Sequence, residues 1–474
     1  MRRFRKFAFL VFVAVYLVSC PLVLLQAFGY SLQPGAEQGI VKTGLIYLAT
    51  TPPGATVYLG RRRYTNVTPT TLRGLRPGSY DLRLALPGHQ TWARTVPVEA
   101  EKSTVLDRVM LLPVNWNPQR LLPGPFQDLL PLPGTRLVLV RGGPTLADYT
   151  LYDWRAAEAK RLVSLDSPLA ESRVMSLWKV PGSTSELLRL AGPMGVRMVW
   201  IEPPADEPRL EDLTGFLPEG IRHLAWDPLD RRHLFFLKGG TLVRFHLPSK
   251  TMAPLLERVV GFGLAERTLF VLDESRLLVQ TDLDGKRRTP EEPAWLALPP
   301  EEPVRLSLPW AEHRSMELKS FANDKILLLG GRGELLAPRV TTPLIERGAL
   351  GLAWDPHHQR ALVWERERLG VVDWSDPEKT PHLRWVFAGG RRITQAFWAH
   401  QGSHVLFHDE DRVRLLELEP PESPIVHELF TVRAGSPFAY DDEAGMVFYL
   451  EPAGGTLCAA ALLPRRDLLN FVTP

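Results

Sequence analysis

Two distant segments of this 474-residue chain nearly copy one another, and that repetition constrains the fold more than composition does. Leu224-Ala225-Trp226-Asp227-Pro228 leads into Arg231-Arg232-His233-Leu234-Phe235-Phe236-Leu237, then Gly239-Gly240, then Leu242-Val243-Arg244-Phe245. Leu352-Ala353-Trp354-Asp355-Pro356 leads into Gln359-Arg360-Ala361-Leu362-Val363-Trp364, then Leu369-Gly370-Val371-Val372-Asp373, with a fourth segment from His382 to Phe387. Short apolar runs separated by Asp-Pro and Gly-rich punctuation read as strands and tight turns, four strands to a unit.

The same order recurs more weakly, with starts near Phe126, Val174, Val260, Leu318, Gln395 and Ser436. The eight starts are spaced by about 44 residues, the length of a four-stranded propeller blade. Residues 125–474 are therefore expected to form a β-propeller of seven or eight blades, resembling the WD-repeat type; a run of independent β-sandwiches is the rival. Trp226 and Trp354 are expected to pack between blades, as buried tryptophans usually do. The widest gap holds Thr289-Pro290-Glu291-Glu292-Pro293 and Pro299-Pro300-Glu301-Glu302-Pro303, near Trp295 and Trp310. It reads either as a tolerated surface loop or as a partner-binding insertion. The chain's 43 prolines and 36 glycines, with no sustained helical period after residue 29, indicate an all-β protein.

The exception lies at the start. Phe7 to Gly29 is a run of 23 residues without a charge, preceded by Arg2, Arg3, Arg5 and Lys6. At about 1.5 Å per residue a helix of that length crosses a hydrocarbon core of about 30 Å. The basic flank favours a cytoplasmic amino terminus, which places the rest outside the cytoplasm. Residues 1–29 are thus expected to be a basic tail and a single transmembrane helix, with Pro21 tolerated inside it. Two alternatives share the same export. One is a cleaved signal peptide, although the small-residue exit is missing. The other is a lipoprotein, because Leu17-Val18-Ser19-Cys20 resembles the box whose cysteine is lipidated, here Cys20.

After a polar spacer, residues 30–43, comes a compact domain. Gly44 to Ala49 and Ala55 to Leu59 read as strands flanking Pro52-Pro53-Gly54-Ala55. Tyr80, Leu82, Leu84 and Leu86 share one face of another, and Thr91–Val98 and Thr104–Leu112 complete a small antiparallel sandwich. Residues 44–112 resemble a PEGA domain. The Pro-Glu-Gly-Ala turn appears with proline for glutamate, alongside Thr68-Pro69, Leu75-Arg76-Pro77-Gly78-Ser79-Tyr80 and Leu86-Pro87-Gly88-His89. The resemblance implies a membrane-tethered bacterial surface protein and no catalytic residues. Arg61, Arg62 and Arg63 are read as a solvated hairpin tip rather than a contact for lipid or an acidic polymer. Residues 113–124 are read as a linker.

Net charge is +3, and removing the four amino-terminal cations leaves −1 for the rest. That takes away the electrostatic case for nucleic acid, which needs a basic footprint. Only Cys20 and Cys458 occur, so neither a disulfide framework nor a cysteine zinc site is expected. No nucleophile elbow, phosphate loop or calcium loop is present. Gly330-Gly331-Arg332-Gly333 reads as a hairpin turn. His404 and His408, with Asp409 adjacent, fall on one strand face but make a weak case for a metal. His357 and His358 are expected to be exposed, and Asp441-Asp442 and Glu410-Asp411 to be turn acids.

The expectation is a non-enzymatic, single-pass envelope protein, amino terminus cytoplasmic, displaying a propeller to a protein or glycan outside the cytoplasm. No catalytic, cofactor or metal residue is assigned, and the binding residues are unspecified. An extracytoplasmic hydrolase or lyase acting on cell-wall polymers, or a structural surface-layer component, are the alternatives.

Overall fold

The structure is a computed structural model that describes the chain except residues 1, 28–29, 33–39, 133–136, 180–184, 203–208, 228, 231, 266, 287–303, 306–315, 323–324, 339–342, 356, 376–379, 419–423 and 464–474. The proline- and glutamate-rich insertion with Trp295 and Trp310 therefore lies outside the described residues. The chain divides into two compact units, residues 1–117 with 461–474, and residues 118–460.

In the first unit, helix α1 (Arg2–Ala27) coincides with the basic tail and uncharged run. Its described side chains, residues 9–21, are almost all exposed, and Phe9, Leu10, Phe12 and Leu17 each stand at least 65% open. Among the described residues no helix is long and apolar enough to cross a membrane. The expected span thus rests on the sequence of the whole run. Within the stretch read as a spacer, β1 (Tyr30–Leu32) pairs with β2 (Ile40–Lys42), so it carries structure of its own.

The sandwich follows: β3 (Gly44–Thr51), β4 (Thr56–Leu59), β5 (Arg62–Val67), β6 (Thr70–Leu75), β7 (Gly78–Ala85), β8 (Trp92–Val98) and β9 (Ser103–Met110). They form the sheets β6-β3-β9 and β5-β4-β7-β8. Alternation puts Ile46, Leu48, Val57, Leu82, Leu84 and Trp92 into one core, with Tyr80 and Leu86 at its margin, as the period-2 pattern requires. One pairing differs from the antiparallel expectation: β3 and β9 run parallel, Leu45 opposite Ser103. The Pro-Pro-Gly-Ala turn is pinned by Thr68, whose buried Oγ1 accepts the Ala55 N–H at 2.9 Å. Gly54, at φ +92°, supplies the left-handed corner this turn needs.

The second unit is a succession of antiparallel sheets, residues 128–161, 173–212, 222–256, 259–305, 316–336, 351–388, 393–431 and 439–461, hereafter blades 1–8. Among the described residues all have four strands except blade 5, which has three. Blade 8 takes its fourth strand from the other end of the unit: β10 (Gln119–Leu122) pairs with Leu457–Ala461, Arg120 opposite Cys458. The stretch read as a linker thus holds the closing strand.

Each blade packs on the next. Leu139 and Tyr149 of blade 1 share a core with Leu188 and Val199 of blade 2. Trp200 meets Trp226 at 4.8 Å between blades 2 and 3, and Phe235 packs with Phe262 between 3 and 4. Phe270 joins Leu318, Phe321 stacks on Trp354 at 4.9 Å, and Leu362 packs with Val405. Phe397 meets Phe438 at 5.1 Å between blades 7 and 8. Leu129 and Val138 of blade 1 then pack with Phe448 and Leu457 of blade 8. The chain of contacts returns to its start, so the sheets form a closed, propeller-like ring of eight blades. Trp226 and Trp354 are interblade packing, as expected.

Closure explains the unbroken apolar second strands. His233–Lys238, Thr268–Asp273 and Met446–Leu450 are covered on both faces. Burying each leucine or phenylalanine there stabilises by about 1.5–3 kcal/mol. His404–Asp409 of blade 7 is buried throughout as well, yet it carries two imidazoles and a carboxylate.

Candidate functional site

A carboxylate removed from water needs partners, and Asp409, 2% exposed, has three. Its Oδ1 accepts the backbone N–H of Arg391 at 2.8 Å and of Arg392 at 2.7 Å. Its Oδ2 forms an ion pair with Arg414 Nη1 at 2.8 Å. The loop entering Ile393–Ala399, the first strand of blade 7, is thereby fixed from below. His408, 1% exposed, has Nδ1 within 3.0 Å of Thr394 Oγ1, and its Nε2 has no partner among the described residues. Burial pushes its pKa below the ordinary histidine value, against the upward pull of Asp409 and Asp411, which keeps the ring neutral at pH 7.

The residues that this buried pair holds, Arg391, Arg392 and Thr394, line a cavity of ≈730 Å³ between blades 7 and 8. Small-ligand sites usually fall at about 300–1,000 Å³. One wall is Arg391, Arg392, Thr394 and Gln395 from the entry to blade 7. A second is Glu410, Asp411 and Arg412 from the turn between its second and third strands, and a third is Ala434, Gly435 and Pro437 on the way to blade 8. Gln395 Oε1 accepts the Phe438 N–H at 3.1 Å and ties the third wall to the first.

The cations differ in their engagement. Arg391 Nη1 lies 3.3 Å from Glu410 Oε2. Arg412 pairs with Glu428 and sits 3.8 Å from Asp411. Arg392, exposed, has no ion pair among the described residues. Gln395, its oxygen engaged, keeps two amide hydrogens without a partner there.

Of the residues singled out in the sequence, Glu410 and Asp411 are turn acids and also line this cavity. His404 and His408 are both buried but serve different hydroxyls; His404 Nδ1 lies 2.8 Å from Ser403 Oγ. Among the described residues no three potential ligands converge on a metal position. His358 departs from the expected exposure: its Nδ1 is 2.8 Å from Asp355 Oδ2, which also holds Arg360 Nη2 at 3.0 Å. Asp355 is buried because its Oδ1 caps the turn, accepting the His357 N–H at 3.1 Å. Burial raises its pKa, but the Arg360 and His358 hydrogen bonds outweigh that and hold it below the usual range. Asp441 and Asp442 are structural; the latter accepts the His400 N–H at 2.9 Å across the blade junction. Gly330–Gly333 forms a hairpin turn, Arg61–Arg63 are exposed, and Cys20 and Cys458 are free thiols.

No curated protein matches the chain. Among solved structures, PorZ, an essential bacterial surface component of the type-IX secretion system of Porphyromonas gingivalis, is similar at 13% identity and TM-score 0.39, over 70% of this chain and 42% of that one. The Cps50 (Swd1) β-propeller domain of Myceliophteria thermophila is similar at 8% identity and TM-score 0.39, over 73% of this chain and 98% of that one. A chain of the mitotic checkpoint complex is similar at 10% identity and TM-score 0.36, over 74% and 95%. Residues 43–110 match the model of the PEGA domain, the region where the turn motifs had pointed.

Proposed function

We propose that this is a non-enzymatic envelope protein, held in the cytoplasmic membrane by its amino-terminal helix, that presents an eight-bladed ring outside the cytoplasm to bind an envelope protein or glycan. The observation that carries the binding role is the cavity between blades 7 and 8. Its polar walls come from three loops, and buried Asp409 presets the backbone of the loop that carries Arg391 and Arg392. Preset groups bind with less loss of freedom, which is how a site differs from an accidental cleft.

Support for the anchor is the apolar surface of α1. Eight large side chains from Phe9 to Val18 stand 47–69% exposed, an arrangement costly in water and neutral in lipid. The basic residues before it set the orientation. Two assays on the full chain test this reading. It should stay with membranes through an alkaline carbonate wash and leave them in detergent. The detergent-solubilised chain should also co-sediment with isolated envelope fragments. Release by carbonate alone, or failure to co-sediment, would overturn the reading.

A further inference from the structure

The charges around the cavity restrict what can occupy it. Two of its three arginines are engaged, Arg391 by Glu410 and Arg412 by Glu428, which leaves Arg392 as the one lining cation without an ion pair among the described residues. A planar guanidinium is matched by a carboxylate through two parallel hydrogen bonds. Glu410 and Asp411 on the facing wall repel a second negative charge, which disfavours phosphate and polyanions. The same oxygens accept hydrogen bonds from hydroxyl groups, and Gln395 and Thr394 add further polar atoms. The apolar part of the lining is Ala434, Gly435 and Pro437, with no aromatic face for a flat apolar ligand among the described residues. One negative charge, many hydroxyls and little apolar surface describe a sugar acid.

We propose that the cavity between blades 7 and 8 binds an acidic saccharide, its single carboxylate on Arg392 and its ring hydroxyls on Glu410, Asp411 and Thr394. This rests on the envelope-binding reading and names the ligand class. Asp409 holds the loop below Arg392, and the Thr394–His408 hydrogen bond holds the neighbouring wall, so the pocket is set before the ligand arrives. Arg392 acts as the specificity-determining residue, because a neutral sugar offers it no carboxylate for the charge-assisted, two-bond pairing.

The test is titration calorimetry on the full chain in detergent micelles at pH 7. The probes are a glucuronic acid oligosaccharide, its neutral glucose counterpart, inorganic phosphate and a short peptide with a free carboxy terminus. The expected order places the glucuronic acid probe first, with the other three about tenfold weaker or more, the factor that one charge-assisted contact contributes. Arg392→Ala should weaken that probe by a similar factor of about ten, Arg392→Lys by less, and Arg258→Ala, in the turn between blades 3 and 4, not at all. Unchanged melting of the Arg392 variants establishes that the ring is intact. Equal binding of the neutral sugar, tighter binding of phosphate or peptide, an unaffected Arg392→Ala chain, or no binding of any probe would each overturn the assignment. Envelope co-sedimentation without probe binding would sink the saccharide assignment alone and leave the broader reading standing.

Discussion

Oδ1 of the buried Asp409 accepts the backbone N–H of Arg392 at 2.7 Å, so a carboxylate closed off from solvent sets the position of a cation that faces it. The same oxygen holds the Arg391 N–H, and its other oxygen faces Arg414. Removing the acid leaves two amides and a guanidinium without their acceptor. Asp409→Ala should therefore destabilise the ring by about 3–5 kcal/mol, the usual consequence of breaking a buried pair. Denaturant unfolding of the full chain checks this, and a loss below about 1 kcal/mol, the size of a surface pair, would contradict the buried network.

Acidification should act through His408 and His223, whose pKa values burial pushes below the ordinary 6.5. The unfolded chain then takes up a proton near that pH that the folded chain excludes. Their contribution is fully present above about 6.5 and is lost as pH falls towards the lower folded values. Melting temperature measured from about pH 7 to 5 should decline, and His408→Gln should flatten that decline without abolishing it, since His223 remains. An identical slope in the variant would place His408 in contact with solvent.

The smaller sandwich depends on one hydroxyl. Thr68 Oγ1, 2% exposed as a residue, receives the Ala55 N–H and lies 2.6 Å from Thr50 Oγ1. Thr68→Ala should cost that unit about 1–3 kcal/mol through the unsatisfied amide, and Thr68→Ser should recover most of it. Hydrogen exchange at Ala55 reads the effect directly; unchanged protection in the alanine variant would refute it.

Ring closure depends on the core that blade 8 shares with blade 1. Phe448 is 2% exposed there, beside Leu457 and Leu129. Phe448→Ala should destabilise the ring by about 3–5 kcal/mol. It should also raise hydrogen exchange in β10, whose pairing closes blade 8. Destabilisation with unchanged exchange in β10 would show that closure does not depend on this core.

The blades were legible in the sequence because second strands covered on both faces favour unbroken apolar runs, as Leu234–Leu237 and Leu362–Trp364 show. The closing strand was not. Gln119–Leu122 is short, and its partner lies more than 330 residues along the chain, so no local pattern marks it. The parallel β3–β9 pair went unseen for a related reason, since alternation records which face is buried and not strand direction. Part of the site was visible: Glu410 and Asp411 as turn acids, His408 and Asp409 as polar groups in a strand. Arg391, Arg392 and Gln395 carried no signal, because their roles come from loops that only the fold brings together.

The central claim is that the ring faces the outside of the membrane. A membrane-impermeant amine reagent applied to intact cells, followed by peptide mapping, tests it at exposed Lys238 of blade 3 and exposed Lys102 of the sandwich. The account predicts modification of both without permeabilisation, with Lys6 modified only after it. Modification of Lys238 solely in permeabilised cells would contradict it.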